Sequence, residues 1–508
     1  MKRHKHKNTG QSSFSFWENI LIHPLQAITD IFSANNRQSP VPASRSISLG
    51  QSTNIYNRKQ SEEVFLNLKT LKQHGYILGQ SGSGKTFLIL LLLMSFIRLG
   101  CGFCIIDIHG DLSQMILAYI ASISNTAPEY INNVGKLVLI EFFDRYFAPA
   151  FNPLHSKDIR YAYRETADML GIIKQIWKDV AWGARMEELL RNLLLTLSLS
   201  RKTLAEAPLF LTNEDFRTSI VRTLSDPELI HYWTNRFGVL SERMKPVYVD
   251  PVLNKLSVFT SDPYIRHSLA QDSSSLDFRK LMDQQKWVIV NISKGVLSQN
   301  AHLLGSLLIS KIKAAAMSRV DIPQSRRVPF YLVVDEFQNF MGYNFEEILS
   351  EARKYCLSLI LAHQNLAQID KKMRESILGN VATTMFFRLG HNDIREISNE
   401  FKVSDQALLK QTVSTLGVGE VVKRETDGSF RKINVHHISP EVGNLRVINQ
   451  LRDASRAKYC KRRSIIDAEL SRSHLGHNAP ATIISRPGSR TNQVSADRNN
   501  ADRPEGEL

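Results

Sequence analysis

The eight residues from Gly79 to Thr86, GQSGSGKT, constrain this chain more than any other part of its sequence. They match the pattern GxxxxGK[ST] and stand between an apolar stretch, residues 76–78, and a long leucine-rich one. A glycine-rich turn between a strand and a helix lets backbone N–H groups point inward around a phosphate, and the helix N-terminus adds its positive dipole. The pattern therefore predicts a P-loop that binds a nucleoside triphosphate.

Two side chains of this loop carry separate parts of the predicted chemistry. Lys85 is expected to reach the β- and γ-phosphates as a compact charge, and Thr86 to offer its hydroxyl to Mg²⁺. ATP and Mg²⁺ are therefore the expected cofactors. The predicted nucleotide-binding residues are Gly79, Gln80, Ser81, Gly82, Ser83, Gly84, Lys85 and Thr86.

A pair of acids follows an apolar run later in the chain, in YLVVDEF at residues 331–337. In a P-loop enzyme, Asp335 would hold Mg²⁺ through water, and Glu336 would orient and polarise the attacking water. Acids also serve as solvated caps at the ends of many strands, which is the simpler alternative. The presence of the glutamate favours hydrolysis over binding alone.

Three further polar residues are candidates for the same site. Gln364 ends the apolar run SLILAHQ, where P-loop ATPases with an extra strand carry a residue that senses the γ-phosphate; the alternative is a turn glutamine. Arg353 is a candidate arginine finger for a neighbouring subunit's nucleotide, or else a surface charge on a helix. Asp107 ends the run FCIIDI and should face the same rim, because parallel sheets bind ligands at the carboxyl ends of their strands.

The order of apolar runs predicts an α/β fold with a mostly parallel central sheet. Near-continuous apolar strands alternate with helices at 85–99 and 111–124, as expected for a sheet covered on both faces. Residues 156–285 have helical periodicity and no strong strand run, so we predict an all-α insertion there. The predicted strands are residues 76–78, 103–108, 136–143, 286–292, 331–337, 358–364 and 383–389.

These patterns divide the chain into five parts. Residues 1–60 are a basic, amphipathic N-terminal segment and linker, and residues 451–508 a disordered basic tail. The first part of the α/β domain, with the P-loop, is 61–155, and the second part, with the acid pair, is 286–450. The segment 156–285 separates them.

The formal net charge of the chain is +15, which indicates a polyanionic partner such as nucleic acid or an acidic membrane surface. Basic tails on an ordinary soluble protein are the simpler alternative. Four cysteines are too few for a disulfide framework, and no signal peptide or transmembrane run is visible, so we expect a cytoplasmic protein. The amphipathic segment 14–33 could lie on a membrane surface, dock on a partner, or pack on its own domain.

The motifs together resemble the HerA/FtsK superfamily of DNA-pumping ATPases, and within it the conjugative coupling proteins of the TraG/TraD type. The resemblance spans roughly residues 65–450. Besides the P-loop it rests on IIDIHGDL, FNPL, WGARMEELLRNLLLTL, VDEFQNF, LSEARKYCLSLILAHQN and LGNVATTMFFRLGHNDIREIS.

This resemblance implies a RecA-like motor domain with an inserted all-α domain, assembled as a hexameric ring around DNA. It implies nucleotide and Mg²⁺ binding by Lys85 and Thr86, an acid pair at Asp335 and Glu336, a sensor at Gln364 and a trans-acting finger at Arg353. The insertion would meet the relaxase-bound substrate. Two departures stand out: such coupling proteins usually begin with transmembrane helices, and Ile108 stands where the family commonly has proline.

Three functions remain open at this stage. The first is an ATP-driven DNA translocase that delivers DNA or nucleoprotein to a conjugation or type IV secretion channel, with or without peripheral contact to the inner face of the membrane. The second is a HerA-like motor in repair or phage defence with a nuclease partner. The third is a nucleotide-gated recruitment ATPase that does not move DNA. No base-reading motif is visible, so DNA contact, single- or double-stranded, should be independent of sequence.

Overall fold

The computed structural model describes residues 45–53, 61–124, 126–156, 159–177, 182–298, 300–340, 345–401, 403, 406–425, 427–439 and 443–475. The amphipathic segment 14–33 and the tail after residue 475 lie outside the described residues, so the predictions made for them stay predictions.

Most of the described strands join into one sheet of eleven strands, in the order β2-β1-β12-β11-β10-β3-β9-β8-β4-β7-β5. A separate antiparallel pair is formed by β6 and β13. The strands are β1 (Ser46–Thr53), β2 (Ser61–Asn67), β3 (Gly75–Leu78), β4 (Gly102–Asp107), β5 (Leu137–Glu141), β6 (Phe147–Pro149), β7 (Trp287–Asn291), β8 (Phe330–Val334), β9 (Leu357–His363), β10 (Thr383–Phe386), β11 (Glu420–Arg424), β12 (Phe430–Val435) and β13 (Cys460–Arg462).

From β10 to β5, every neighbouring pair of strands in the main sheet is parallel. These are the strands that the sequence predicts, and β3, β4, β7, β8 and β9 are buried at every position. The predicted α/β class with a mostly parallel sheet is therefore confirmed. Strand β9 lies between the P-loop strand β3 and the acid strand β8, so all three end at one edge of the sheet.

The other side of the sheet is antiparallel and includes a segment predicted to be a linker. Strands β11, β12, β1 and β2 extend the sheet beyond β10. The linker prediction was wrong for residues 46–53, because Ile47 and Leu49 alternate with polar residues and bury their side chains. Their alternation with a period of two is a weak signal in a stretch rich in serine, and it is resolved only by the pairing of β1 with β2 along its length and with β12 from Gly50 onward.

Helices cover both faces of the sheet. On one face, the helices Lys85–Arg98 (α2) and Asp111–Ser122 (α3) share an apolar core with side chains of β3, β4 and β7. On the other face, the helix Asn300–Met317 (α14) and the helices of the insertion share a second core with the side chains that these strands direct the opposite way. Residues 159–283 of the described chain, between β6 and β7, form helices without strands, where the sequence predicts the insertion. The helices are α1 (Leu68–Leu71), α2 (Lys85–Arg98), α3 (Asp111–Ser122), α4 (Ala127–Lys136), α5 (Ile159–Ile176), α6 (Ala184–Leu199), α7 (Ala207–Thr212), α8 (Glu214–Val221), α9 (Pro227–His231), α10 (Lys245–Thr260), α11 (Pro263–Leu269), α12 (Phe278–Asp283), α13 (Lys294–Leu297), α14 (Asn300–Met317), α15 (Phe345–Glu351), α16 (Lys371–Asn380), α17 (His391–Glu400), α18 (Gln406–Ser414), α19 (Leu445–Tyr459) and α20 (Arg463–Leu475).

A buried ion cluster joins the helical insertion to the α/β domain. Lys313 on α14 is 2% exposed, and its Nζ lies 2.6 Å from Glu347 Oε2 on α15 and 3.3 Å from Asp168 Oδ2 on α5. Arg164 on α5 binds the second carboxylate oxygen of Glu347 at 2.6 Å. The insertion is therefore held by charges as well as by apolar packing.

The chain after residue 450 is folded as far as the description extends. Leu451, Ser455 and Tyr459 are buried along one side of α19, which packs on the edge strand β5. Ser455 Oγ accepts a hydrogen bond of 2.7 Å from the N–H of Leu139 in β5. The predicted disorder from residue 451 was wrong for residues 451–475. The buried residues recur only at every fourth position, and the basic residues between them, such as Arg452 and Arg456, form ion pairs, so the composition of the stretch is mostly polar.

No helix among the described residues is long and apolar enough to cross a membrane. The described part of the chain also holds no group of three or more metal-ligating side chains of the His, Cys, Asp and Glu types. Cys101 and Cys104 are free and buried, and burial raises the pKa of both thiols. Cys101 directly precedes β4 and Cys104 lies within it, and both pack into the apolar core.

Candidate nucleotide-hydrolysis site

The P-loop joins the end of β3 to the start of α2 and depends on its glycines. Gly82 has φ 72° and Gly84, the N-cap of α2, has φ 112°, a region that side chains other than glycine rarely adopt. A Cβ at Gly79 would lie 2.4 Å from the Cβ of Phe387, and one at Gly84 would lie 3.0 Å from the backbone nitrogen of Gly419. Phe387 and Gly419 therefore pack directly against the loop and leave no room for a side chain at Gly79 or Gly84.

The ammonium of Lys85 lies against the loop itself. Its Nζ donates to the carbonyl oxygens of Gly79 at 2.6 Å and Gln80 at 3.1 Å. Burial lowers the pKa of Lys85, while the carboxylates of Glu336 and Asp335 act in the opposite direction. The lysine and the two acids, far apart in sequence, therefore share one electrostatic environment.

The acid pair begins directly after β8, which ends at Val334. Asp335 Oδ1 accepts a hydrogen bond of 2.9 Å from the N–H of Glu336. Burial, with the negative charges of Glu336 and Asp107, raises the pKa of Asp335 to about 6. A cation bound nearby would stabilise the ionised form of this carboxylate, so Asp335 is suited to be a ligand of Mg²⁺.

Glu336 is buried and is contacted through both oxygens of its carboxylate. Gln364 Nε2 donates to Oε1 at 2.9 Å, and Gln338 Nε2 donates to Oε2 at 2.6 Å. The predicted sensor and the predicted general base are thus in direct contact. Gln338 was missed by the sequence analysis; the only signal for it was its position two residues after the acid pair.

Asp107 lies at the same edge of the sheet, but its oxygens are used by its own loop. Oδ1 accepts from the N–H groups of His109 at 3.0 Å and Gly110 at 2.8 Å, and Oδ2 accepts from Ser113 at 2.7 Å. Its position at the rim is as expected. Its carboxylate organises the turn into α3, and its charge contributes to the raised pKa of Asp335.

Arg353 lies at the opposite end of the strands from the nucleotide site, where the parallel strands begin. It belongs to a short 3₁₀ helix, Ala352–Tyr355, that precedes β9, whereas Gln364 follows β9. The seven residues of β9 separate them by roughly 20 Å or more. Arg353 is exposed and is not brought to Lys85 of its own chain, so its contact with a neighbouring subunit's nucleotide stays a prediction.

The side chains present fit a Mg²⁺–nucleotide complex. Thr86 is half-buried in the first turn of α2, and Asp335 supplies a carboxylate whose charge lacks a tight ion pair among the described residues. Mg²⁺ is commonly held by one or two protein oxygens together with phosphates and waters, so a larger cluster of acids is not needed.

Two family descriptions match the chain. "Helicase HerA, central domain" matches residues 48–312, and "TraM recognition site of TraD and TraG" matches residues 329–431. The first covers more than half of the 508 residues, and the chain belongs to the HerA family. The resemblance to the HerA/FtsK superfamily is confirmed, and the second match links residues 329–431 to the TraD and TraG proteins. Comparison with curated protein sequences gave no match.

Solved structures of two proteins share the fold over most of the chain. The bacterial conjugative coupling protein TrwBdeltaN70 aligns with a TM-score of 0.53 and 13% identity, over 80% of this chain and 97% of that one. VirB4 of Thermoanaerobacter pseudethanolicus aligns with a TM-score of 0.53 and 15% identity, over 79% of this chain and 100% of that one. TrwB has also been solved in complex with ADP and Mg²⁺, with a TM-score of 0.51 and 12% identity over 80% of this chain and 98% of that one.

Proposed function

We propose that this protein hydrolyses ATP with Mg²⁺ and uses the energy to move DNA, as a coupling protein that delivers DNA or nucleoprotein to a conjugation or type IV secretion channel. One observation carries the proposal. Lys85, Asp335 and Glu336 meet at one sheet edge in a chain that belongs to the HerA family. The fold shared with TrwB over nearly the whole of that protein supports the coupling role.

The positions of the side chains in and around the P-loop support the following division of roles. Lys85 and the inward-facing backbone of residues 79–86 bind the phosphates, with the N-terminus of α2 adding its dipole. Asp335 and Thr86 hold Mg²⁺, which when bound neutralises charge on the phosphates. Glu336 orients and polarises the attacking water, and Gln364 senses the γ-phosphate from the end of β9. Arg353 acts on the nucleotide of the next subunit.

The partners follow from charge and from the family match. A net charge of +15 suits a phosphate backbone, and contact with DNA should weaken steeply as salt rises. Assembly as a homo-hexamer would place Arg353 beside a neighbouring subunit's site. The match of residues 329–431 to a TraM recognition site supports docking to proteins of a secretion apparatus, such as a relaxase or channel components.

The first experiment measures ATP hydrolysis by the purified protein, alone and with single- or double-stranded DNA. DNA should stimulate hydrolysis, and Lys85→Ala and Glu336→Gln should lower the rate by roughly a hundredfold or more. Glu336→Gln should still bind nucleotide, whereas Lys85→Ala should not. Hydrolysis that is indifferent to DNA would refute translocation and favour a nucleotide-gated recruitment role.

A second candidate is a HerA-like DNA motor in repair or phage defence that works with a nuclease. The match of residues 48–312 to the HerA helicase domain favours it. Pull-down from the native host separates the two settings: a relaxase and channel proteins would support the coupling role, and a nuclease the repair or defence role.

A further inference from the structure

The carboxylate of Glu336 is held by two glutamine amides that reach it from different parts of the chain. Gln364, which follows β9, donates through Nε2 to Oε1 at a distance of 2.9 Å. Gln338, in the segment after β8, donates through Nε2 to Oε2 at a distance of 2.6 Å. An ionised carboxylate only accepts hydrogen bonds, so both amides must present their nitrogens to it. Each contact is charge-assisted and is therefore stronger than a bond between neutral groups.

The backbone at Glu336 is bent in a way that creates the second contact. Its φ of +49° lies in the left-handed region, which costs a residue with a side chain on the order of 1–2 kcal/mol. The turn is held by Asn339, whose backbone N–H and side-chain amide donate to the carbonyl of Glu336 at 3.0 and 2.9 Å. Strain maintained by several hydrogen bonds is typical of functional sites. Here it places Gln338 beside the side chain of Glu336.

The side chain of Gln338 has one hydrogen bond within the described residues, the one to Glu336. Its Oε1 is buried and finds no protein partner there. The contact therefore serves the carboxylate rather than the local fold, because the fold of this turn is already held by Asn339.

The two glutamines occupy different positions relative to the nucleotide site. Gln364 directly follows β9, which lies between the P-loop strand β3 and the acid strand β8, so its amide can reach both the P-loop and Glu336. Gln338 lies in the same turn as Glu336 and moves with it. We propose that Gln338 is a positioning residue, which keeps Glu336 directed at the attacking water while Gln364 turns to the γ-phosphate. This inference rests on the proposed hydrolytic function.

The test compares Gln338→Met and Gln338→Glu with the wild type in steady-state hydrolysis and equilibrium nucleotide binding. Methionine keeps the length of the side chain but removes the donor, so kcat should fall about tenfold or more. The Kd for ATP and the melting temperature should stay at wild-type values. Glutamate keeps the shape but adds a like charge next to Glu336, and kcat should fall further. Gln364→Met should change both kcat and the Kd.

The matched control is Gln324→Met, at an exposed glutamine beyond the amino end of β8. It should leave kcat unchanged. A Gln338→Met protein that keeps its kcat within twofold would overturn the inference. A fall in melting temperature with a weaker Kd in both Gln338 variants would also overturn it, because that pattern assigns Gln338 to the fold.

Failure of the inference can be told apart from failure of the proposed function. If the wild type does not hydrolyse ATP, or Lys85→Ala hydrolyses it equally well, the proposed function is wrong. If Glu336→Gln removes hydrolysis and Gln338→Met retains it, only the positioning role is wrong.

Discussion

The buried cluster around Lys313 provides the sharpest prediction about how the insertion is attached. Lys313 is 2% exposed, Asp168 is 11% exposed and Glu347 is 33% exposed. Replacing Lys313 by methionine keeps its bulk but leaves the Asp168 carboxylate buried without this ammonium. Breaking a buried pair from one side costs about 3–5 kcal/mol. Because Glu347 is a third exposed and retains Arg164, we expect the lower end, about 3 kcal/mol of unfolding free energy.

The assay is urea unfolding followed by tryptophan fluorescence. Three of the five tryptophans, Trp177, Trp182 and Trp233, lie in or beside the insertion helices, so the signal reports that part of the chain. The double variant Lys313→Met with Asp168→Leu should recover at least half of the loss, because apolar residues of similar volume replace buried pairs at little cost.

The control is Lys371→Met, which removes a pair with Glu375 whose members are 86% and 56% exposed. It should change the unfolding free energy by less than about 0.5 kcal/mol. A Lys313→Met protein that unfolds like this control would refute the reasoning, since the cluster would then contribute no more than a surface pair.

Three other predictions concern the site and the sheet edge. The pKa of Asp335 is raised to about 6 in the folded protein, so the folded state binds the extra proton and stability falls as pH rises from about 4 to about 6; Asp335→Asn should therefore melt higher than the wild type at pH 7.5, lose that advantage near pH 4, and abolish Mg²⁺-dependent hydrolysis. An equal melting difference at both pH values would contradict this. Gly84→Ala should prevent nucleotide binding in a titration, because φ 112° and the backbone of Gly419 both oppose a Cβ, whereas Gly183→Ala, with open space around it, should bind normally. Ser455→Ala should lower the unfolding free energy by about 1–2 kcal/mol, because the N–H of Leu139 loses its acceptor; Ser471→Ala, at an exposed serine of α20, is the control, and equal effects would contradict the role of Ser455 as acceptor for the edge strand β5.

The parallel part of the fold could be predicted from the sequence because burial on both faces leaves a strong signal. Residues 103–106 and 331–334 are apolar throughout, and the runs that begin with them, 103–108 and 331–337, each proved to be a central strand to within three residues. The antiparallel strands β1, β2, β11 and β12 carry a weaker signal, because polar residues interrupt the apolar ones in each strand. Helix α19 was missed for a related reason: its buried stripe of Leu451, Ser455 and Tyr459 includes one polar residue and is surrounded by arginines.

The candidate site divides in the same way, between what local sequence determines and what the packing of distant segments determines. The positions of Lys85, Asp335 and Glu336 follow from local rules, since a P-loop and an acidic strand end are recognisable in a few residues. Their convergence follows from parallel topology, which places the carboxyl ends of β3, β9 and β8 side by side. The contact between Glu336 and Gln338 follows neither from a local motif nor from the topology. It depends on the φ of +49° at Glu336, which a glutamate at that position does not predict.

Arg353 precedes β9, so the parallel topology places it at the amino ends of the strands, opposite Lys85 and the acid pair. For that reason its predicted role requires a second subunit, and mixing Arg353→Ala chains with Lys85→Ala chains is the direct test. If Arg353 acts between subunits, mixed rings should contain interfaces that pair an intact Lys85 with an intact Arg353 and recover hydrolysis that neither variant has alone. Mixtures no more active than the two separate variants would contradict it.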